Sequence, residues 1–130
     1  MNNAPKDLRF TKSHEWVRLG ENGRVICGIT DFAQEQLGDI VFVELPVIGA
    51  VKKTGDTLVV IESVKAVSDV FSPVAGKVAE INCELEDAPE KINEDPYGTW
   101  IFSLEPDDAG EYEKLMTADE YLAFLAEEAH

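Results

Sequence analysis

Apolar positions recur at short intervals along this chain, and turn-forming or acidic residues separate them. Short apolar stretches with alternating polar positions are typical of β-strands rather than of long helices. Asn22-Gly23 predicts a hairpin, because both residues tolerate positive φ. Strands are predicted in HEWVRLG, RVICGI, DIVFVELP, TLVVIES, DVFSPV, KVAEIN and WIFSLEP, with DIVFVELP as a buried strand.

Two segments carry helical signals. TDFAQEQLG predicts a short helix that Thr30 or Asp31 caps and that Gly38 ends in the left-handed conformation. In the tail, Thr117 and Glu120 fit a reciprocal capping box. The apolar face of the tail helix is predicted to consist of Tyr121, Leu122, Phe124 and Leu125. The acidic segment CELEDAPEKINEDPYGTW predicts a long ordered loop, so the chain as a whole indicates an all-β sandwich or barrel with short helices.

The charge balance changes the range of functions to consider. With 130 residues the chain suits one domain, and its 26 acidic against 11 basic residues give a formal net charge of −15. Such a field repels phosphate backbones and argues against nucleic-acid binding, whereas it favours protein partners with basic faces.

The chain lacks the features of membrane insertion or export. No apolar run approaches the ~20 residues that span a bilayer, and MNNAPKDLRF lacks the pattern of a signal or transit peptide. The expected location is the bacterial cytoplasm, or the mitochondrial matrix if this is a processed eukaryotic form.

Most candidate chemistry in the sequence is weak. His14-Glu15 could be a metal or acid/base pair, but the other histidine is the terminal His130, so no metal site is predicted. GAVKKTGD lacks the spacing of a phosphate-binding loop, and the acidic run lacks that of a calcium loop. Cys27 and Cys83 match no redox spacing and are predicted to be buried free thiols. No catalytic residue is predicted.

Lys65 lies at the tip of a predicted hairpin, between the apolar arms of VVIESVKAVSDVF. A tip lysine is usually there only for solubility. Here, however, Glu62 and Asp69 flank it, and the adjacent Val64, Ala66 and Val67 are more apolar than solubility requires. A lysine amine on a rigid β-scaffold suits covalent attachment of a carboxylic-acid cofactor as a swinging arm.

The segment ESVKAVSDVFSPVAGKV resembles the lipoylation segment of the H-protein family of the glycine cleavage system. SHEWV, GITDFAQEQLGDIVFVELP and N-DPYG-W resemble the same family in the same order, from about Leu8 to the C-terminal helix. The resemblance implies a mainly β hybrid of barrel and sandwich with short helices and a C-terminal helix. It implies one lipoyl-carrier domain over residues 1–130, with a helical segment at about 107–129.

The resemblance also implies a function. Lys65 would carry lipoic acid in amide linkage, as N6-lipoyllysine, and the protein would be a carrier rather than an enzyme. It would take the aminomethyl group of glycine from a pyridoxal-phosphate glycine decarboxylase, the P-protein, to a tetrahydrofolate-dependent aminomethyltransferase, the T-protein. Dihydrolipoamide dehydrogenase, the L-protein, would then reoxidise it. A lipoyl-attaching enzyme would recognise the residues around Lys65, namely Glu62, Ser63, Val64 and Ala66.

Three residues match the cleft in which the family stows the loaded arm: Ser13, Glu15 and Asp69. The chain departs from the family pattern at Gln36, where some members have histidine, at Lys91, which replaces an apolar residue, and in a shortened DPYGTW. Two alternatives stay open: a protein that relays lipoyl groups to other complexes, and an unmodified β-sandwich that binds a basic partner.

Overall fold

The structure, a computed structural model, describes residues 4–128. Its strands are β1 Arg9–Phe10, β2 Glu15–Leu19, β3 Val25–Ile29, β4 Ile40–Glu44, β5 Val51–Lys52, β6 Thr57–Ser63, β7 Val67–Phe71, β8 Gly76–Ile81 and β9 Phe102–Pro106. Its helices are α1 Asp31–Leu37, α2 Glu84–Asp87, α3 Lys91–Glu94 and α4 Ala118–Glu128, with 3₁₀ segments at Glu21–Gly23 and Ala109–Lys114. None of the helices in this part of the chain has the length and apolarity to cross a bilayer.

The strands form two antiparallel sheets. A six-stranded sheet has the order β1-β2-β3-β9-β8-β5, and a three-stranded sheet has the order β4-β6-β7. Both sheets contribute side chains to one buried cluster, which includes Val17, Val59, Ile61, Val78, Phe102 and Leu104. Removing these apolar surfaces from water holds the sheets together. The prediction of a mainly β fold with short helices and a C-terminal helix is confirmed.

Helix α4 packs on the outside of the larger sheet. Its Tyr121 ring stacks on Phe10, with ring centroids 4.7 Å apart. The predicted capping box is confirmed, because the Thr117 N–H donates to Glu120 Oε1 at 2.8 Å and the Glu120 N–H donates to Thr117 Oγ1 at 3.3 Å. On the predicted apolar face, two side chains are buried and two are half-buried: Tyr121 and Leu125, then Leu122 and Phe124. Positions 129 and 130, which include the end of the predicted helical segment and His130, lie outside the described residues.

Several turn predictions hold with changes of detail. Asn22 and Gly23 have φ of 62° and 76° and join β2 to β3 through the 3₁₀ segment. Thr30 caps α1 by accepting from the Ala33 N–H. Gly38 ends α1 with φ 77° but ψ −155°, so it has the expected sign of φ without being left-handed helical.

Three expectations are wrong. The segment DIVFVELP is not buried throughout, since β4 is an edge strand that buries Ile40 and Val43 but exposes Val41 and Phe42. The acidic segment is not simply a loop. It forms α2 and α3, which the buried Leu85 and Ile92 anchor to the core. Cys27 is buried as predicted, whereas Cys83 is exposed.

Candidate functional site

A tight turn presents Lys65 at the tip of the hairpin formed by β6 and β7. In this hairpin Ile61 lies opposite Ser68. Ser63 closes the turn, because its Oγ accepts from the Ala66 N–H at 3.0 Å and from the Lys65 N–H at 3.3 Å. The Ser63 N–H also donates to the Ala66 carbonyl at 2.8 Å. The serine of Glu-Ser-Val-Lys-Ala therefore shapes the turn that carries the lysine.

The Lys65 side chain is exposed and lies across Gly38 at the end of α1. A methyl group built on Gly38 would be 3.3 Å from Lys65 Cε and 3.9 Å from Nζ. Among the described residues the Lys65 ammonium has no ion-pair or hydrogen-bond partner. Modifying this amine would therefore break no ion pair or hydrogen bond of the described residues.

The surface around the tip is partly apolar. Phe42, Glu62 and Val67 lie in one row across the three strands, with Phe42 48% and Val67 66% exposed. Val64, in the turn itself, is 69% exposed. The residues expected to be recognised during attachment, Glu62, Ser63, Val64 and Ala66, thus immediately surround Lys65 on an open surface.

A cleft of about 280 Å³ begins beside the tip and runs between β7, the start of β2 and α1. Ala66, the neighbour of Lys65, lines one end. Ser13, Glu15 and Asp69, which are far apart in the sequence, all line the cleft. Its apolar walls are formed by Ile29, Phe32, Ala33, Leu37, Ile61, Val67 and Val70. The fold thus brings the three predicted cleft residues to one place, close to the lysine.

The two acids of the cleft differ in their surroundings. Glu15 is only 1% exposed. Its Oε1 accepts from Thr11 Oγ1 at 2.5 Å and from Ser13 Oγ at 2.6 Å, and its Oε2 accepts from the Phe71 N–H at 3.2 Å. Burial raises the pKa of the Glu15 carboxyl, and these hydrogen bonds oppose the rise. Asp69 is exposed, so its carboxylate is open to a ligand while that of Glu15 joins β2 to β7.

The corner that carries Ser13 is held by a chain of hydrogen bonds to α4. His14 adopts φ 70°, which is uncommon for a residue other than glycine. Its Nδ1 lies 2.9 Å from the Tyr121 hydroxyl, which lies 2.8 Å from Thr30 Oγ1. Burial lowers the pKa of His14, and nearby Glu128 opposes this. His14 is thus a packing residue at the cleft wall rather than a member of an acid/base pair with Glu15, whose partners are hydroxyls and an amide.

Sequence reasoning missed Thr11 and Tyr121. The spacing of Thr11, Ser13 and Glu15 within one tight turn was the available signal for Thr11, since hydroxyls at such positions can reach a nearby carboxylate. For Tyr121, no local pattern distinguishes an apolar-face tyrosine that bridges two elements from one that only packs.

Of the departures noted in the sequence, Gln36 lies on the rim of the cleft and is exposed. Lys91 pairs with Glu84 at 3.1 Å between α3 and α2, away from the cleft. In the shortened DPYGTW, Asp95 closes the turn by accepting from the Gly98 N–H at 3.1 Å.

Comparisons with known proteins identify the family. The family model described as "Glycine cleavage H-protein" matches residues 8–128. The chain is 53% identical over 127 residues to glycine cleavage system H protein 2 of Pseudomonas putida, which covers 98% of this chain and 100% of that protein. It is 52% identical over 131 aligned positions to the glycine cleavage system H protein of Xanthomonas campestris pv. campestris, with complete coverage of both.

A solved structure agrees with these sequence matches. The crystal structure of a glycine cleavage system H protein from Mycobacterium marinum superposes with a TM-score of 0.85 at 39% identity, over 95% of this chain and 99% of that one. A match of this extent confirms the barrel-sandwich hybrid that the resemblance implied. The chain belongs to the glycine cleavage H-protein family.

Proposed function

We propose that this protein carries lipoic acid in amide linkage to Lys65 and serves as the aminomethyl carrier of the glycine cleavage system. One observation carries the proposal. An exposed lysine amine, with no ion-pair partner within residues 4–128, lies at the tip of a turn that Ser63 closes, beside a cleft lined by Ser13, Glu15 and Asp69.

The residues around Lys65 fit a lipoyl group. Acylation neutralises the ammonium, and no ion pair of the described chain is lost in consequence. The cleft combines apolar walls such as Phe32 and Val67, which suit an aliphatic chain, with carboxylates and a hydroxyl at one side. When bound, the group supplies a disulfide that accepts the aminomethyl group and a flexible arm, which with lysine reaches roughly 12–14 Å, about four extended residues.

The polar residues of the cleft would have different roles in holding the aminomethyl group. The aminomethyl group is cationic at neutral pH and is best held by charge-assisted hydrogen bonds. Asp69 is the exposed carboxylate that can accept such a bond. Ser13 donates its hydroxyl hydrogen to Glu15, so its oxygen can act only as an acceptor toward a group in the cleft that it lines. Glu15 fixes the orientation of Ser13 and adds negative charge behind it.

The partners follow from this role. The P-, T- and L-proteins would each receive the lipoyl arm in turn. Residues 1–130 would form a single carrier domain, and the expected location is the bacterial cytoplasm. The lipoyl-attaching enzyme would contact the tip directly, through Glu62, Ser63, Val64 and Ala66. Tethering the cargo to this protein replaces its free diffusion by a high effective concentration at each partner.

The Lys65→Arg variant tests the proposal. Arginine keeps the positive charge but has no acylatable amine, so we expect no lipoyl mass addition by intact mass spectrometry and no glycine cleavage with the partner enzymes. Lys53→Arg, which changes an exposed lysine elsewhere, is the matched control and should behave as wild type.

Two outcomes would overturn the proposal. One is an Arg variant that supports normal glycine cleavage. The other is a wild-type protein that gains no lipoyl mass when incubated with a lipoyl-attaching enzyme, which would favour an unmodified interaction module instead.

A further inference from the structure

Asn93, in α3, uses its side-chain amide to hold the loop between α1 and β4. Its Nδ2 donates to the Gly38 carbonyl and to Gln34 Oε1, both at 2.9 Å. Its Oδ1 accepts from the Ile40 N–H at 2.9 Å. Donor and acceptor are both used, and the backbone groups they bind lie on either side of Asp39.

The loop held in this way is the one that touches the hairpin tip. The Val64 N–H, adjacent to Lys65, donates to the Asp39 carbonyl at 3.0 Å. The Lys65 stem lies across Gly38, close to where a methyl group on that glycine would be. A continuous series of contacts therefore runs from Asn93 through the 38–40 backbone to Val64 and Lys65.

We propose that Asn93 is a positioning residue for Lys65: it fixes the 38–40 backbone, and this backbone fixes the hairpin tip. Asparagine suits the position because it supplies both a donor for the Gly38 carbonyl and an acceptor for the Ile40 N–H. An aspartate at 93 would keep the acceptor and lose both donated bonds, whereas an alanine would lose all three.

The consequence for modification rests on the proposed function. A lipoyl-attaching enzyme must find the Lys65 amine at one position relative to the turn. If the tip adopts several arrangements, only a fraction of the molecules can bind productively. The apparent affinity is then the intrinsic affinity multiplied by this fraction. Chemistry within the bound complex is unaffected. Loss of Asn93 should therefore raise the KM for the carrier and leave kcat unchanged.

The first test uses the unmodified protein and amide hydrogen exchange. In Asn93→Ala, the Val64 amide should exchange about tenfold faster, as expected for loss of support worth roughly one hydrogen bond. Exchange should also be faster in Asn93→Asp, because a carboxylate oxygen would face the Gly38 carbonyl that Nδ2 now binds. Asn82→Ala is the matched control. Its Nδ2 also bonds a distant carbonyl, that of Trp100 at 2.8 Å, and its Oδ1 accepts from the Glu84 N–H, so it has no bond to the 38–40 loop. It should leave Val64 exchange unchanged.

The second test measures lipoylation kinetics with a purified lipoyl-attaching enzyme. Asn93→Ala should raise KM at unchanged kcat, by less than the roughly tenfold increase in Val64 exchange, and Asn82→Ala should match wild type. The proposal is overturned if Val64 exchange in Asn93→Ala or in the near-isosteric Asn93→Asp stays at the wild-type rate. It is equally overturned if amides of the core strands accelerate as much as Val64, since Asn93 then only stabilises the fold.

Failure of the proposed function is distinguishable from failure of this inference. A wild-type protein that accepts no lipoyl group removes the carrier assignment, while Val64 exchange still decides whether Asn93 holds the tip.

Discussion

The carboxylates of Glu15 and Asp69 line the same cleft, but their surroundings give them different roles. Glu15 is buried and accepts three hydrogen bonds from Thr11, Ser13 and Phe71, whereas Asp69 is exposed. Removing an acceptor from a buried set leaves a donor without a partner, which is costly. Changing an exposed acid alters what the cleft can bind and leaves the packing in place.

This contrast gives a prediction for paired variants. Glu15→Gln should lower the free energy of unfolding by about 1–3 kcal/mol, because its amide nitrogen cannot accept from the donors that the carboxylate binds. Asp69→Asn should leave the unfolding midpoint unchanged and shorten the lifetime of the aminomethylated protein about three- to tenfold. Urea unfolding and the rate of ammonia release from the loaded, lipoylated protein measure the two effects. An Asp69→Asn lifetime equal to that of wild type would remove Asp69 from the cargo site.

Only part of the candidate site could be predicted from neighbouring residues in the sequence. Glu62, Ser63, Val64 and Ala66 adjoin Lys65 in sequence, so their proximity to it needs no tertiary information. The grouping of Ser13, Glu15 and Asp69 came from family resemblance, because no spacing within the chain links them. The contacts of Asn93 and Tyr121 arise only where separate elements meet, so no local pattern indicates them.

Among the elements, a strand was predicted reliably where a short apolar run is bounded by turn-forming residues. The predicted segment TLVVIES coincides with β6. The four-residue helices α2 and α3 are too short for a helical period to show, so the acidic segment was predicted as a loop. Strand β4 was predicted to be buried, whereas its Val41 and Phe42 are exposed. The sequence alone does not show that β4 is an edge strand or that its outer face is exposed to solvent.

The contact of α4 with the cleft wall gives a prediction about pH. His14 has a lowered pKa, caused first by burial and opposed by Glu128, so the folded protein binds this proton less readily than the unfolded chain does. Its contribution to stability is therefore complete above the ordinary value of 6.5 and declines as pH falls below it, through the lowered folded pKa.

A variant isolates this effect. His14→Asn removes the titrating group, and asparagine tolerates the φ of 70° found there. Between pH 7.5 and 5.5, wild-type unfolding free energy should fall more steeply than that of the Asn variant in parallel urea titrations. Parallel curves for the two proteins would show that His14 does not contribute to the pH dependence.

The molecule as a whole is strongly acidic, and this charge affects how it meets other proteins. The formal net charge of −15 produces a field that extends beyond any one contact and attracts basic surfaces on other proteins. Screening shortens the reach of this field to about 10 Å at 0.1 M salt and about 3 Å at 1 M.

Association rates with the partner enzymes should therefore fall as salt rises, by roughly ten-fold or more between low and high ionic strength. Stopped-flow or surface-based kinetics can measure this, with sucrose at matched osmolality as the uncharged control. Rates that stay flat across the salt series would show that the acidic surface serves solubility alone.

The hydrogen bond from the Phe71 N–H to Glu15 has a consequence for self-association. Strand β7 is an edge of the three-stranded sheet, and edge strands with open N–H groups invite pairing with another molecule and hence aggregation. Glu15 accepts a hydrogen bond from the Phe71 N–H, so this donor is not open to pairing with a strand of another molecule. One buried carboxylate therefore occupies a backbone donor at the base of the hairpin.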